Sequence, residues 1–186
     1  MRTTFSLVSV MVLTALSGQS AHVLESPPPV VTSAGGFTTV KIGHEPQING
    51  REWVAADVRT TSSAEAQVVR TGSFSLTTTD CGDHGDFERC RLLFRRGSAA
   101  PVRIGDGFTA WVYVTPDGRY IFTEPLYALD VRAWKEYALF QALHIRNYVS
   151  IDAISRDGRR LLISRRDCAI DCGNQPREHY ELTLPK

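Results

Sequence analysis

The sequence predicts an all-β fold of antiparallel sheets, and three observations predict it. Short runs rich in Val, Ile, Thr, Phe, Tyr and Trp recur from Phe37 onward, each stopped by Gly, Pro or Asp, as strands joined by tight turns are. A strand–turn–strand pattern around Asp117-Gly118 returns 40 residues later around Asp157-Gly158. Four cysteines stand in a chain whose first residues read as an export signal, the setting in which disulfides persist. With 186 residues, 42% hydrophobic and 22% charged, the composition is that of one globular domain with a tail. A net charge of +1 leaves no electrostatic footprint for nucleic acid. Beyond the N-terminus no apolar stretch approaches the roughly 20 residues of a membrane-spanning helix. Neither nucleic-acid binding nor membrane insertion is expected.

Residues 1–21 have the three parts of a secretory signal peptide. Arg2 supplies the positive start, Phe5 to Leu16 the apolar stretch, and Ser17 to Ala21 a small-residue cleavage zone. Cleavage near Ala21 and a periplasmic or secreted destination are expected. Residues 22–36 include Pro27-Pro28-Pro29 and read as a flexible, Pro-rich linker in extended polyproline conformation. A single β-rich domain is expected over 37–186. Its first strands are placed at Phe37–Ile42, Trp53–Val58, Ala66–Val69, Phe74–Thr78, Cys90–Phe94, Val102–Ile104 and Phe108–Val114.

The repeat organises the C-terminal half. Val114–Thr123 aligns with Ile154–Ile163 as apolar, Thr/Ser, any, Asp, Gly, Arg, any, apolar, apolar. Such a unit is a strand, a tight turn whose Gly takes positive φ, and a second strand. Leu126–Val131 and Tyr180–Leu184 stand where a third strand of each unit belongs, and Asp86–Phe94 is a weaker copy. The pattern resembles the blade of a β-propeller of the TolB-like or WD type, in which Ser/Thr-Pro-Asp-Gly-Arg joins the first two strands. Thr115–Arg119 matches that motif in full, and Ser155–Arg159 departs from it only at Arg156. The resemblance implies antiparallel blade-like sheets with repeats at about 108–150 and 151–185. At about 40 residues per four-stranded blade, the chain length then implies a small or incomplete β-propeller. The alternative is a β-sandwich with one helix near 131–145, because Val131, Trp134, Ala138, Ala142 and Ile145 also fall at helical spacing. The repeat frame instead makes that segment a strand, a turn at 133–135 and another strand.

Four cysteines allow three pairings. Cys81–Cys90 and Cys168–Cys172 are favoured because each closes a short polar loop; a four-thiolate zinc site is the lesser alternative. The first loop, Asp80 to Glu88, carries the densest acidic cluster. Asp80, Asp83, Asp86 and Glu88 offer hard oxygen ligands for Ca²⁺, though their spacing is not that of an EF-hand. Read as a displayed loop, it presents Asp83, His84, Asp86 and Phe87 to a partner in a form that loses little entropy on binding. The second loop holds Asp171 and is flanked by Arg159, Arg160, Arg165 and Arg166. Arg165 and Arg166 are candidates for pairing with partner carboxylates or anionic envelope glycans.

No catalytic residue is proposed. There is no Gly-x-Ser-x-Gly elbow, P-loop or dinucleotide fingerprint. His44-Glu45 begins like a zinc-protease motif, but Pro46 breaks the helix that motif needs. His84, His144 and His179 read as scattered surface or packed residues. The blade-like repeats, the size and the export signal are similar to those of some periplasmic immunity proteins. That similarity implies a chain that binds and inhibits a secreted toxin or cell-wall hydrolase by inserting a loop into its active site. An envelope glycan-binding or scaffold role, and an exported hydrolase, are the alternatives.

Overall fold

The computed structural model describes residues 30–32, 34–43, 46–63, 67–83, 88–145, 148–166 and 177–186. They form fifteen strands and one helical turn: β1 Val30–Thr32, β2 Thr38–Ile42, β3 Trp53–Ala55, β4 Arg59–Thr60, β5 Gln67–Arg70, β6 Ser75–Asp83, β7 Glu88–Arg95, β8 Val102–Thr109, β9 Trp111–Val114, β10 Tyr120–Thr123, β11 Tyr127–Asp130, β12 Lys135–Ala138, α1 Leu139–Ala142, β13 Tyr148–Ser155, β14 Arg160–Arg166 and β15 Glu178–Thr183. The protein is all-β with antiparallel sheets; β1 alongside β12 is the one parallel pair among the described strands. A four-stranded sheet runs β5-β6-β7-β8, a six-stranded sheet β1-β12-β11-β10-β9-β4, and a five-stranded sheet β2-β15-β14-β13-β3. Each ladder is separate, and no pairing of described strands closes them into a barrel.

The six-stranded sheet lies between the other two. Phe122, Ala128 and Tyr137 on one face pack with Val149, Ile151, Leu161 and Ile163 of the five-stranded sheet. Ile121, Leu129 and Val112 on the other face pack with Leu76, Leu92, Phe94 and Ile104 of the four-stranded sheet. Burial on both faces explains why Tyr120 to Thr123 is a continuous buried run with no polar alternation. A smaller cluster of Trp53, Ala153 and Leu162 covers the far face of the five-stranded sheet.

The repeat is physically real at the level of hydrogen bonds. Thr115 Oγ1 donates to Asp117 Oδ1 at 2.6 Å, and Ser155 Oγ donates to Asp157 Oδ1 at 2.6 Å. The same carboxylate oxygens accept the N–H of Arg119 at 3.0 Å and of Arg159 at 3.1 Å. Gly118 and Gly158 sit at φ +67° and +70°, a conformation only glycine adopts without strain. The third strands also correspond: Arg119 O accepts Val131 N–H and Arg159 O accepts Leu184 N–H, both at 2.8 Å.

Two sequence expectations need adjustment, and at 131–145 the favoured strand-and-turn reading prevails over the alternative helix. Residues 30–32 form β1, so ordered pairing begins inside the segment read as linker. The run Phe108–Val114 is two strands in two sheets parted at Ala110. The Ala110 N–H goes to a side chain, Glu124 Oε2 at 3.1 Å, while its C=O accepts Thr61 N–H at 2.9 Å and continues the β4–β9 register. Segment 131–145 is a turn, β12 and then the single turn α1, not one helix. Trp134 has φ +52°, which no α-helix tolerates, and its ring packs on Phe94 at 5.2 Å.

The turn carboxyls make stability depend on pH. Burial pushes the Asp117 carboxyl up, but the Thr115 hydroxyl, the Arg119 N–H and the charges of Arg132 and Arg119 outweigh it and leave it below 3.8. The Ser155 hydroxyl and the Arg159 N–H likewise lower Asp157. Groups depressed on folding stabilise above their ordinary value, and that contribution is lost as pH falls through the folded value. Unfolding monitored by circular dichroism should therefore become easier as pH drops below 3.8. Asp117→Ala should cost about 1 kcal/mol at neutral pH and flatten that acid dependence.

Candidate functional site

The end of the β6–β7 hairpin reaches past its own sheet. β5 pairs only with Ser75 to Thr77 of β6, and β8 accompanies β7 only as far as Cys90. From Thr78 to Asp83, β6 therefore has β7 as its sole sheet neighbour among the described residues. A two-stranded ribbon is marginal on its own, and the register slips between Thr79 and Gly82. The Cys81–Cys90 disulfide bridges the strands at that slip, as the favoured pairing anticipates. By limiting the unfolded ensemble such a bond contributes about 2–3 kcal/mol.

The loop end of the hairpin is also tied to the neighbouring sheets. Arg89 donates to both oxygens of Glu124, Nε at 3.1 Å and Nη2 at 3.0 Å. Glu124 also accepts Ala110 N–H, so one carboxylate holds β7, the β8–β9 corner and the β10–β11 turn together. Thr61 Oγ1 donates to Thr109 O at the same corner. Ser63 N–H donates to Glu88 Oε1 at 3.1 Å.

Among the residues expected to face a partner, Asp83 is exposed at the far end of β6. His84, Asp86, Phe87 and Asp171 lie outside the described residues, as do Cys168 and Cys172. Asp80 lies 3.7 Å from Arg103 Nη2, Glu88 accepts a backbone N–H, and Asp86 lies outside the described residues. Cys81, Cys90 and Glu88 stand close together, but joined sulfurs carry no thiolate. Zinc ligation at this pair is thereby overturned.

The arginines of β14 are built into the sheet. Arg160 bridges Glu52 and Glu181, and its guanidinium lies 5.2 Å from the Trp53 ring centroid. Arg165 Nε lies 3.3 Å from Glu178 Oε2. Hydrogen bonds from Lys41 and Tyr180 hold the Glu178 carboxyl below its ordinary value. Arg166 lines a cavity between the six- and five-stranded sheets.

A polar cluster that sequence reading passed over lies on the five-stranded sheet. Asp152 is the extra residue of a β-bulge between Ile151 and Ala153. Its Oδ1 accepts the hydroxyls of Ser164 at 3.0 Å and Ser150 at 3.3 Å, and its Oδ2 lies 4.0 Å from His179 Nδ1. The only local signal is Ser150-Ile151-Asp152 on one strand; Ser164 and His179 arrive by cross-strand register. No family model matches the chain, nor does any curated protein or solved structure.

Glu124→Gln should destabilise the fold by about 2 kcal/mol, because it removes the charge from a partly buried bidentate contact. Arg89→Ala should produce a similar loss, and the double variant less than the sum. Chemical denaturation of the four proteins measures this, with hydrogen exchange reporting the loosened hairpin.

Proposed function

We propose that this chain is an exported binding protein that inhibits a partner enzyme and presents the β6–β7 hairpin to it. The observation that carries the reading is the Cys81–Cys90 disulfide across a two-stranded extension of the sheet. A hairpin fixed before contact gives up little conformational entropy on docking, so more of its contact energy appears as affinity. Exposed Asp83 at its end offers a carboxylate to a cationic or hydrogen-bonding partner. The disulfide also fits the oxidising compartment that the N-terminal signal addresses. In its most specific form the proposal is a periplasmic immunity protein whose hairpin occupies the active-site cleft of a cell-wall-degrading toxin.

Two observations favour binding over the alternatives. Ser150 and Ser164 share hydrogen bonds with each other and with Asp152, and neither bonds an imidazole among the described residues, so neither hydroxyl has the histidine base of an activated nucleophile. Arg160 and Arg165 are already opposed by Glu52, Glu181 and Glu178, which leaves them poorly placed for envelope glycans.

The chain lacking residues 1–21 should form a stoichiometric complex with a cell-wall hydrolase encoded beside it, and that hydrolase should lose activity. Cys81→Ser with Cys90→Ser should weaken the complex at least tenfold while cooperative thermal unfolding persists. Asp83→Ala should weaken it several-fold. Retention on peptidoglycan or lipopolysaccharide with no protein complex would refute inhibition.

A further inference from the structure

We propose that the cleft between the six- and five-stranded sheets is a site for a small amphiphile bearing one negative charge, a function separate from the hairpin. A cavity of about 280 Å³ opens there, near the lower end of the range for small-molecule sites. Its apolar wall is Trp111, Ala110 and Val149, and two arginines, Arg166 and Arg177, line it as well. Arg166 closes β14 and Arg177 immediately precedes β15, which pairs with β14. The two guanidiniums therefore belong to the same end of one strand pair.

Arg177 supplies the open positive charge at this cleft. Glu124 also lines it, but its two oxygens are taken by Arg89 and by Ala110 N–H. Among the described residues Arg177 makes no ion pair, and it is exposed. A second cavity of about 370 Å³ continues on the other side of Arg177, where Asp152 and His179 line it. The Asp152 carboxylate repels an anionic head from that side, which directs the head toward Arg177 and the body toward Trp111. Ser150 and Ser164 line the first cavity as well. A guanidinium pairs with a carboxylate through two parallel N–H bonds, and the aromatic and aliphatic wall suits a short alkyl chain.

The probe is octanoate, titrated by calorimetry into the chain lacking residues 1–21. Single-site binding is expected, with 1-octanol at least tenfold weaker because it lacks the charge. Butyrate should bind at least twentyfold more weakly, since each buried methylene is worth about fourfold. Arg177→Gln, at an exposed position, should weaken octanoate about tenfold and leave octanol unchanged. Equal binding of octanol and octanoate, no octanoate binding at millimolar concentration, or an Arg177→Gln protein with full affinity would each overturn the proposal. None of these outcomes depends on a protein partner, so the inhibitor reading stands or falls separately.

Discussion

One carboxylate sets the geometry on which the rest of the structure depends. Glu124 sits at the turn between β10 and β11 and accepts three N–H groups, two from Arg89 and one from Ala110. Through Ala110 it fixes the corner at which the chain leaves the four-stranded sheet and enters the six-stranded one. Through Arg89 it fixes β7, and with it the loop end of the hairpin. The side chains of Glu124 and Arg89 are 18% and 23% exposed. At that depth an ion pair is worth having only when its geometry is good and its remaining valences are filled. The bidentate contact and the extra backbone N–H meet both conditions.

The corner matters because the central sheet is buried on both faces. The four-stranded sheet can cover Val112, Ile121 and Leu129 only if β8 delivers the chain at the right angle. The opposite face is covered independently by the five-stranded sheet, whose own hairpin repeats the Asp-Gly turn bond for bond. The two halves of the core are thus set by different devices. One is a local turn that any chain with the Thr/Ser-x-Asp-Gly-Arg sequence makes, and the other is a long-range ion pair bringing together residues 35 apart.

That division explains what was legible in the sequence. The Asp-Gly turns announce themselves because positive φ, the side-chain acceptor and the hydroxyl donor all lie within five residues. The strands around them follow, and so does the reading of 131–145 as strand and turn. The pairing of Cys81 with Cys90 was accessible because the loop it closes is short. The split of Phe108–Val114 was not, since nothing in Thr109-Ala110-Trp111 marks a sheet change; the cause is Glu124, in another segment. The Asp152 cluster was hidden for the same reason. Ser164 and His179 meet Asp152 only through register across three strands, and the bulge that turns Asp152 toward them leaves no trace in residue type. Arg165 looked like a displayed cation because its partner, Glu178, is equally remote until β14 and β15 pair.

The Glu124 node touches both candidate sites, since it anchors the hairpin through Arg89 and lines the cleft beside Arg177. Shared contact of this kind does not by itself couple two sites; coupling needs an element with two arrangements of comparable free energy. Glu124 offers no second arrangement among the described residues. Releasing Arg89 would break the bidentate contact at a partly buried carboxylate, and releasing Ala110 would orphan a backbone N–H at the sheet corner. The node therefore acts as a fixed strut. It holds a hairpin and a cleft in constant positions, which is what a preformed binding surface requires and what a switch would have to give up.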